Sequence, residues 1–292
     1  MRSTICLLPG LALLAGIAAA PAPVRAETYH TCTGFIDSLP ATINTQGTWC
    51  LRHDLSTSIA SGSAITVATN NVTIDCNDFK IGGLAAGADT LANGIVANNR
   101  FNVTVRHCNV RGFLVGIRTL GGGGHLIERN RVDANTLNGM RVAVGPGSTV
   151  RGNLVVDTGG AGPGVLAGEA TGIYAGHGVH IIDNTISGVA PTPESGSATA
   201  YGIYTETNGD GTVIENRIQG LAAAGAGSAH GIWNNNSGRT FVSSNKLKGD
   251  GATNSVGVRC TNIQATAHDN AIAGFATGVL NCLSSSNIVN PN

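Results

Sequence analysis

Along the chain, apolar residues alternate with polar ones in short runs that break at glycine. A Gly followed by a β-branched residue or Met recurs as Gly94-Ile95, Gly116-Ile117, Gly139-Met140, Gly172-Ile173, Gly202-Ile203, Gly231-Ile232, Gly257-Val258 and Gly278-Val279. The intervals are 22, 23, 33, 30, 29, 26 and 21 residues. Between these marks lies a second segment ending in Asn-x-Ile/Val/Leu, as in Val213-Ile214-Glu215-Asn216-Arg217-Ile218. The period of two predicts β-strands, and the turn residues between them leave no unit room for a helix of about ten residues.

A unit this thin cannot bury its own apolar face. Stacked copies can, if each strand pairs with the same strand one copy on. The pattern therefore predicts an all-β coil of parallel strands, with inward Ile and Val in stacks and Gly at the tight corners. The Asn recurs at Asn77, Asn130, Asn153, Asn184, Asn216, Asn245, Asn270 and Asn287, with Cys108 in its place in one copy. Asn suits a turn because its side chain bonds backbone groups and tolerates left-handed dihedrals, so this column is expected to form a structural ladder. A propeller would need a Trp-Asp or similar mark, and a leucine-rich repeat far more Leu.

The Gly-Ile and Val-x-x-Asn-x-Ile pattern resembles the right-handed parallel β-helix repeats of the pectate-lyase-like superfamily. Gly47-Thr48-Trp49-Cys50-Leu51 and Asn71-Val72-Thr73-Ile74-Asp75-Cys76-Asn77 are similar to the first coils of secreted bacterial members. The resemblance spans roughly residues 40–292. It implies a single-stranded right-handed parallel β-helix solenoid of about nine to ten coils, forming one domain over residues 27–292. For function it implies polysaccharide lyases, hydrolases and epimerases, or non-catalytic adhesins.

Composition fits this picture: 42 Gly in 292 residues, 12% charged, 4% aromatic and a formal net charge of zero. That balance argues against nucleic acid or an anionic membrane as partner. Residues 1–26 read as a signal peptide, with Arg2 before the apolar run Ile5–Ala20 and a small-residue end at Val24-Arg25-Ala26. No later run is long and apolar enough for a membrane span. The expected location is secreted or periplasmic, and the expected state monomeric.

Cys6 falls in the signal, leaving Cys32, Cys50, Cys76, Cys108, Cys260 and Cys282. An even set in an exported chain favours disulfides over a metal site, and no Cys-x-x-Cys is present. On the coil, Cys76 and Cys108 lie one place apart in adjacent turns, as do Cys260 and Cys282. Cys32 and Cys50 would then pin an amino-terminal cap.

The residue after each Gly-Ile pair should point outward from one wall. That column reads Val96, Arg118, Arg141, Tyr174, Tyr204, Trp233, Arg259 and Leu280. Aromatic faces stack on sugar rings and arginine forks bind carboxylates, so Tyr174, Tyr204, Trp233 and Arg259 are the candidate substrate-binding residues. Longer connections at 157–171, 188–200 and 220–230 would wall one side and bring Glu169, Glu194 and His230 near. The same aromatics could equally be packing beneath those loops.

For catalysis the candidates are Arg118, Arg141, His177, Glu206 and His230. Cleavage by β-elimination needs a base beside a carboxylate and groups that neutralise that carboxylate. The resemblance implies a Lys or Arg base and Ca²⁺ held by clustered acids. Here no Lys stands in the column and no acidic cluster follows it, so no cofactor is expected. Gly176-His177-Gly178 matches a polygalacturonase string, but that family's paired aspartates have no clear counterpart. Two functions remain open: an exported protein that binds, and as a polysaccharide lyase or related enzyme cleaves, a uronate-containing polysaccharide; or a non-catalytic recognition or adhesion module.

Overall fold

The structure is a computed structural model, and it describes residues 31–143, 145–162, 168–206, 210–235 and 238–290. The signal-peptide segment lies outside the described residues. Within them the chain winds into three parallel sheets of 11, 10 and 10 strands, and each strand hydrogen-bonds to its equivalents one coil before and one coil after. This is the right-handed parallel β-helix, with about ten coils.

The register follows the repeat. On the groove-bearing sheet Ile65, Ile95, Ile117, Met140, Ile173, Ile203, Ile232 and Val258 pair in succession. The second sheet stacks Ile74, Val105, Ile127, Val150, Ile181, Val213 and Val242. The third stacks Ile81, Val110, Val132, Val155, Ile186, Ile218, Leu247 and Ile272. All are buried. At roughly 1.5–3 kcal/mol per buried aliphatic side chain, these three columns supply the main driving force for coiling.

The recurring glycines sit where the chain bends into the groove-bearing sheet, and their cause is space. A Cβ on Gly202 would stand 2.5 Å from the Gly231 carbonyl oxygen and 2.5 Å from Ile218 Cγ2. One on Gly172 would meet the Gly202 carbonyl oxygen at 2.7 Å and Ile186 Cγ2 at 2.6 Å. Neither has a positive φ, so the corner needs the missing side chain and not a left-handed backbone.

The asparagine ladder runs unbroken from Asn130 to Asn287. Each Nδ2 donates to the next Oδ1: Asn130 to Asn153 at 3.0 Å, Asn153 to Asn184 at 2.9 Å, Asn184 to Asn216 at 3.0 Å. Asn216, Asn245 and Asn270 continue the chain of bonds to Asn287. Left-handed dihedrals belong to the preceding residue, as at Arg129 (φ 52), Asp183 (φ 53) and Glu215 (φ 60), and not to the ladder asparagines. The outward left-handed residue is what aims the following Asn inward. Asn77 is not a rung; it has φ 48 and its Nδ2 donates to the Leu51 carbonyl.

Cys108 occupies the rung before Asn130, its backbone N–H donating to Asn130 Oδ1 at 3.0 Å. The disulfides are Cys32–Cys50, Cys76–Cys108 and Cys260–Cys282. The first holds the edge strand Gly34–Phe35 against Gly47–Cys50 and so closes the amino-terminal end; the others each join adjacent coils.

Candidate functional site

Strands Asn138–Ala143, Glu169–Ala175, Thr199–Glu206, Ala229–Asn235 and Ser255–Cys260 lie side by side on the groove-bearing sheet. With the preceding strand Val115–Gly123, their register places Arg118, Arg141, Tyr174, Tyr204, Trp233 and Arg259 in one outward column, each paired with the next. The rings are partly exposed and touch: Tyr174 and Tyr204 at 5.3 Å between centroids, Tyr204 and Trp233 at 5.7 Å.

A second column, formed by the residue before each glycine, runs parallel to the first. Tyr201 pairs with His230 there and with Thr171 one coil earlier. Gly202 and Ile203 both turn inward at the bend, so Tyr201 and Tyr204 both face out and lean together, 5.2 Å apart. Sequence reasoning missed Tyr201 because it assumed unbroken alternation. The Gly-Ile pair itself was the signal, since two consecutive inward positions put the residues on either side of them on the same outer face.

Between the two columns is a groove of about 390 Å³, lined by Leu137, Asn138, Arg141, Glu169, Thr171, Tyr174, Tyr201, Tyr204, Glu206 and Trp233. Arginines stack on the rings at both ends: Arg141 lies 4.5 Å over Tyr174, and Arg259 lies 4.2 Å over Trp233. A polar chain fixes the rings from the other edge. Trp233 Nε1 donates to Thr261 Oγ1, Thr261 Oγ1 donates to Asn235 Oδ1, and Asn235 Nδ2 donates to the Tyr204 hydroxyl at 2.6 Å. The aromatic row is thereby pre-set, and a ligand need not order it.

The long connections stack on one another beside the groove. Ala198 and Ala224 exchange backbone bonds, and Gly168 donates to the Thr192 carbonyl. The part of the first loop at 163–167 lies outside the described residues. Glu169 reaches the groove, whereas Glu194 pairs with Ser197 in its own loop and is not among the lining residues.

The acid–base candidates part company here. His230 is 2% exposed, stacked against Tyr201 at 5.6 Å with an interplanar angle of 13°, and 4.8 Å from Trp233. Burial, helped by the Arg259 charge, pushes its imidazole down to about 4. It is a neutral ring beneath the platform, not an accessible base. His177 stands exposed on a turn after the strand and does not line the groove.

Burial, with the nearby Glu169 carboxylate, pushes the Tyr201 phenol up to about 12, so it stays protonated and is a poor base. Arg118 is held below the ordinary arginine value by burial and by the neighbouring Arg141 charge. Of the catalytic candidates, Arg141 and Glu206 line the groove, and Arg118 flanks Arg141. Among the described residues no group of three or more His, Cys, Asp or Glu is placed to hold a metal ion.

No curated protein matches the chain. Among solved structures it is similar to a mutant tailspike protein of E. coli bacteriophage HK620 in complex with a pentasaccharide, with 13% identity and a TM-score of 0.50. That match covers 84% of this chain but 59% of the tailspike, so the chain spans well under two thirds of the tailspike's length. It is also similar to the A-module of the Azotobacter vinelandii mannuronan C-5 epimerase AlgE4, with 10% identity, a TM-score of 0.46 and coverage of 90% and 87%. At such identities the likeness is one of fold. Residues 52–192, just under half of the chain, match the family described as a right handed beta helix region, the fold that the coil displays.

Proposed function

We propose that this protein binds an acidic polysaccharide, laid across the coils along the Tyr174–Tyr204–Trp233 row. The observation that carries the reading is the groove itself: four aromatic rings, partly exposed and in mutual contact, two of them (Tyr204 and Trp233) held by hydrogen bonds, with arginines over the rings at both ends. Ring faces at successive coil spacings suit the apolar faces of successive sugars, and guanidinium edges suit carboxylates. A pentasaccharide complex in the tailspike shows a carbohydrate ligand on a protein of this fold. We read the chain as a secreted or periplasmic member of the pectate-lyase-like superfamily; its three disulfides suit an oxidising compartment.

Binding is the activity this groove supports best. Tyr201 is held protonated and His230 is buried, so among the acid–base candidates it is Glu206 that lines the groove, and cleavage is a separate outcome of the test below. The test is calorimetric titration of the protein with a panel of soluble acidic and neutral polysaccharides, beside the Trp233→Ala variant. Binding weakened 10- to 100-fold by the substitution, with the fold retained, is the expected result, at about 1–3 kcal/mol for a lost stacking ring. Equal affinity in the variant would remove the groove as the site. New unsaturated uronate ends appearing in the same mixtures would show that a lyase is present instead.

A further inference from the structure

Charge along the groove is uneven. Arg106, Arg111, Arg131 and Arg151 each rest on a carboxylate. Among the described residues Arg118, Arg141 and Arg259 have no such ion pair. Arg118 and Arg141 are register neighbours in adjacent coils, two like charges side by side, and the Nε of Arg141 is buried with no hydrogen-bond partner. A paired cation without a counter-charge costs stability unless an anion comes to it. Arg259 stands alone at the other end, over Trp233.

Between the two ends the groove lining includes no cation among the described residues. Its middle holds the rings of Tyr174, Tyr201 and Tyr204 with the carboxyl side chains of Glu169 and Glu206. Carboxylates accept hydrogen bonds from sugar hydroxyls and repel other carboxylates. Arg141 and Arg259 are four coils apart, which at about 4.8 Å per strand spacing is about 19 Å. One pyranose in an extended chain advances by about one such spacing.

Resting on the glycan reading above, we propose that the groove selects a sparsely charged polysaccharide: acidic sugars separated by about three neutral ones, with consecutive acids seated on Arg118/Arg141 and on Arg259. A polymer with a carboxylate on every sugar would drive its middle acids against Glu169 and Glu206. The ligand class is thus a repeat-unit heteropolysaccharide and not a homopolymer of uronate.

The experiment compares three oligosaccharides of equal length by calorimetry and Trp fluorescence: a linear gellan fragment, with one glucuronate in each four-sugar repeat; an oligogalacturonate; and the gellan fragment with its carboxyls reduced to alcohols. The gellan fragment should bind at least tenfold tighter than either of the others. Arg259→Gln and the double variant Arg118→Gln/Arg141→Gln should each bring it down to the level of the reduced fragment. Circular dichroism of each variant checks that the coil is intact. Equal or tighter binding of the oligogalacturonate overturns the proposal, as does equal binding of reduced and unreduced gellan. Either result leaves glycan binding standing. Failure of all three ligands to bind would instead overturn the glycan reading, and this proposal with it.

Discussion

Two columns run along the coil, and they end differently. The asparagine ladder is closed: Asn130, Asn153, Asn184, Asn216, Asn245 and Asn270 are at most 2% exposed, and each amide bonds to the next. The aromatic column is open: its rings are partly exposed, Arg141 keeps an unpartnered Nε, and His230 beneath it keeps an unpartnered Nδ1. Both arise from the same repetition. Repetition alone therefore does not mark function; the two columns differ in how far their polar atoms are satisfied from within the coil.

The contrast can be broken most violently in the ladder. Asn184 Nδ2 donates to Asn216 Oδ1 and to the carbonyls of Val150 and Ile182, and its Oδ1 accepts from the backbone and side chain of Asn153. Asn184→Ala orphans several buried groups at once. Destabilisation of about 3–5 kcal/mol is expected from urea or guanidinium unfolding, with glycan affinity unchanged in the folded fraction. A loss below about 1 kcal/mol would mean that the ladder is decoration.

A middle-sized effect should come from His230, where the two columns' logic meets: a buried polar ring under an open surface. Its folded pKa of about 4 lies below the unfolded value of 6.5, so the unfolded chain takes up the proton first as pH falls. Stability is then full above pH 6.5 and declines toward pH 4, by something on the order of 2 kcal/mol. His230→Phe should flatten that part of the slope in unfolding midpoints measured from pH 7 to pH 4. Parallel slopes in variant and parent would contradict the burial argument. The smallest effect is expected from Tyr201→Phe. Its hydroxyl is held protonated and its ring does the packing, so glycan affinity should stay within about twofold from pH 6 to pH 9.

Much of the fold was legible because the coil repeats its constraints. Each Gly-Ile pair marks the same bend, and the outward column from Arg118 to Leu280 follows by alternation from that mark, whereas Val96, in register with it, is covered. Less of the site was legible, for local reasons. Tyr201 escaped because alternation fails at the bend. His230 shares Tyr201's column, yet Tyr201 and Trp233 pack over it, and depth of cover is a property of neighbours that strand period does not report. His177 drew attention through a three-residue string, but it lies exposed on the turn after its strand and is not among the groove's lining residues. Arg141 and Arg259 were legible as outward arginines, but not their contact with the rings: each guanidinium lies over a neighbouring aromatic side chain.

Because every strand bonds only to the turn before and the turn after, the distance between the end arginines is set by counting turns. Duplicating one whole turn, such as the stretch from Gly172 to Tyr201, would move Arg259 one step farther from Arg141 without altering either of them. The molecule is in this sense a ruler, and a relative with one turn more or fewer would measure a different repeat.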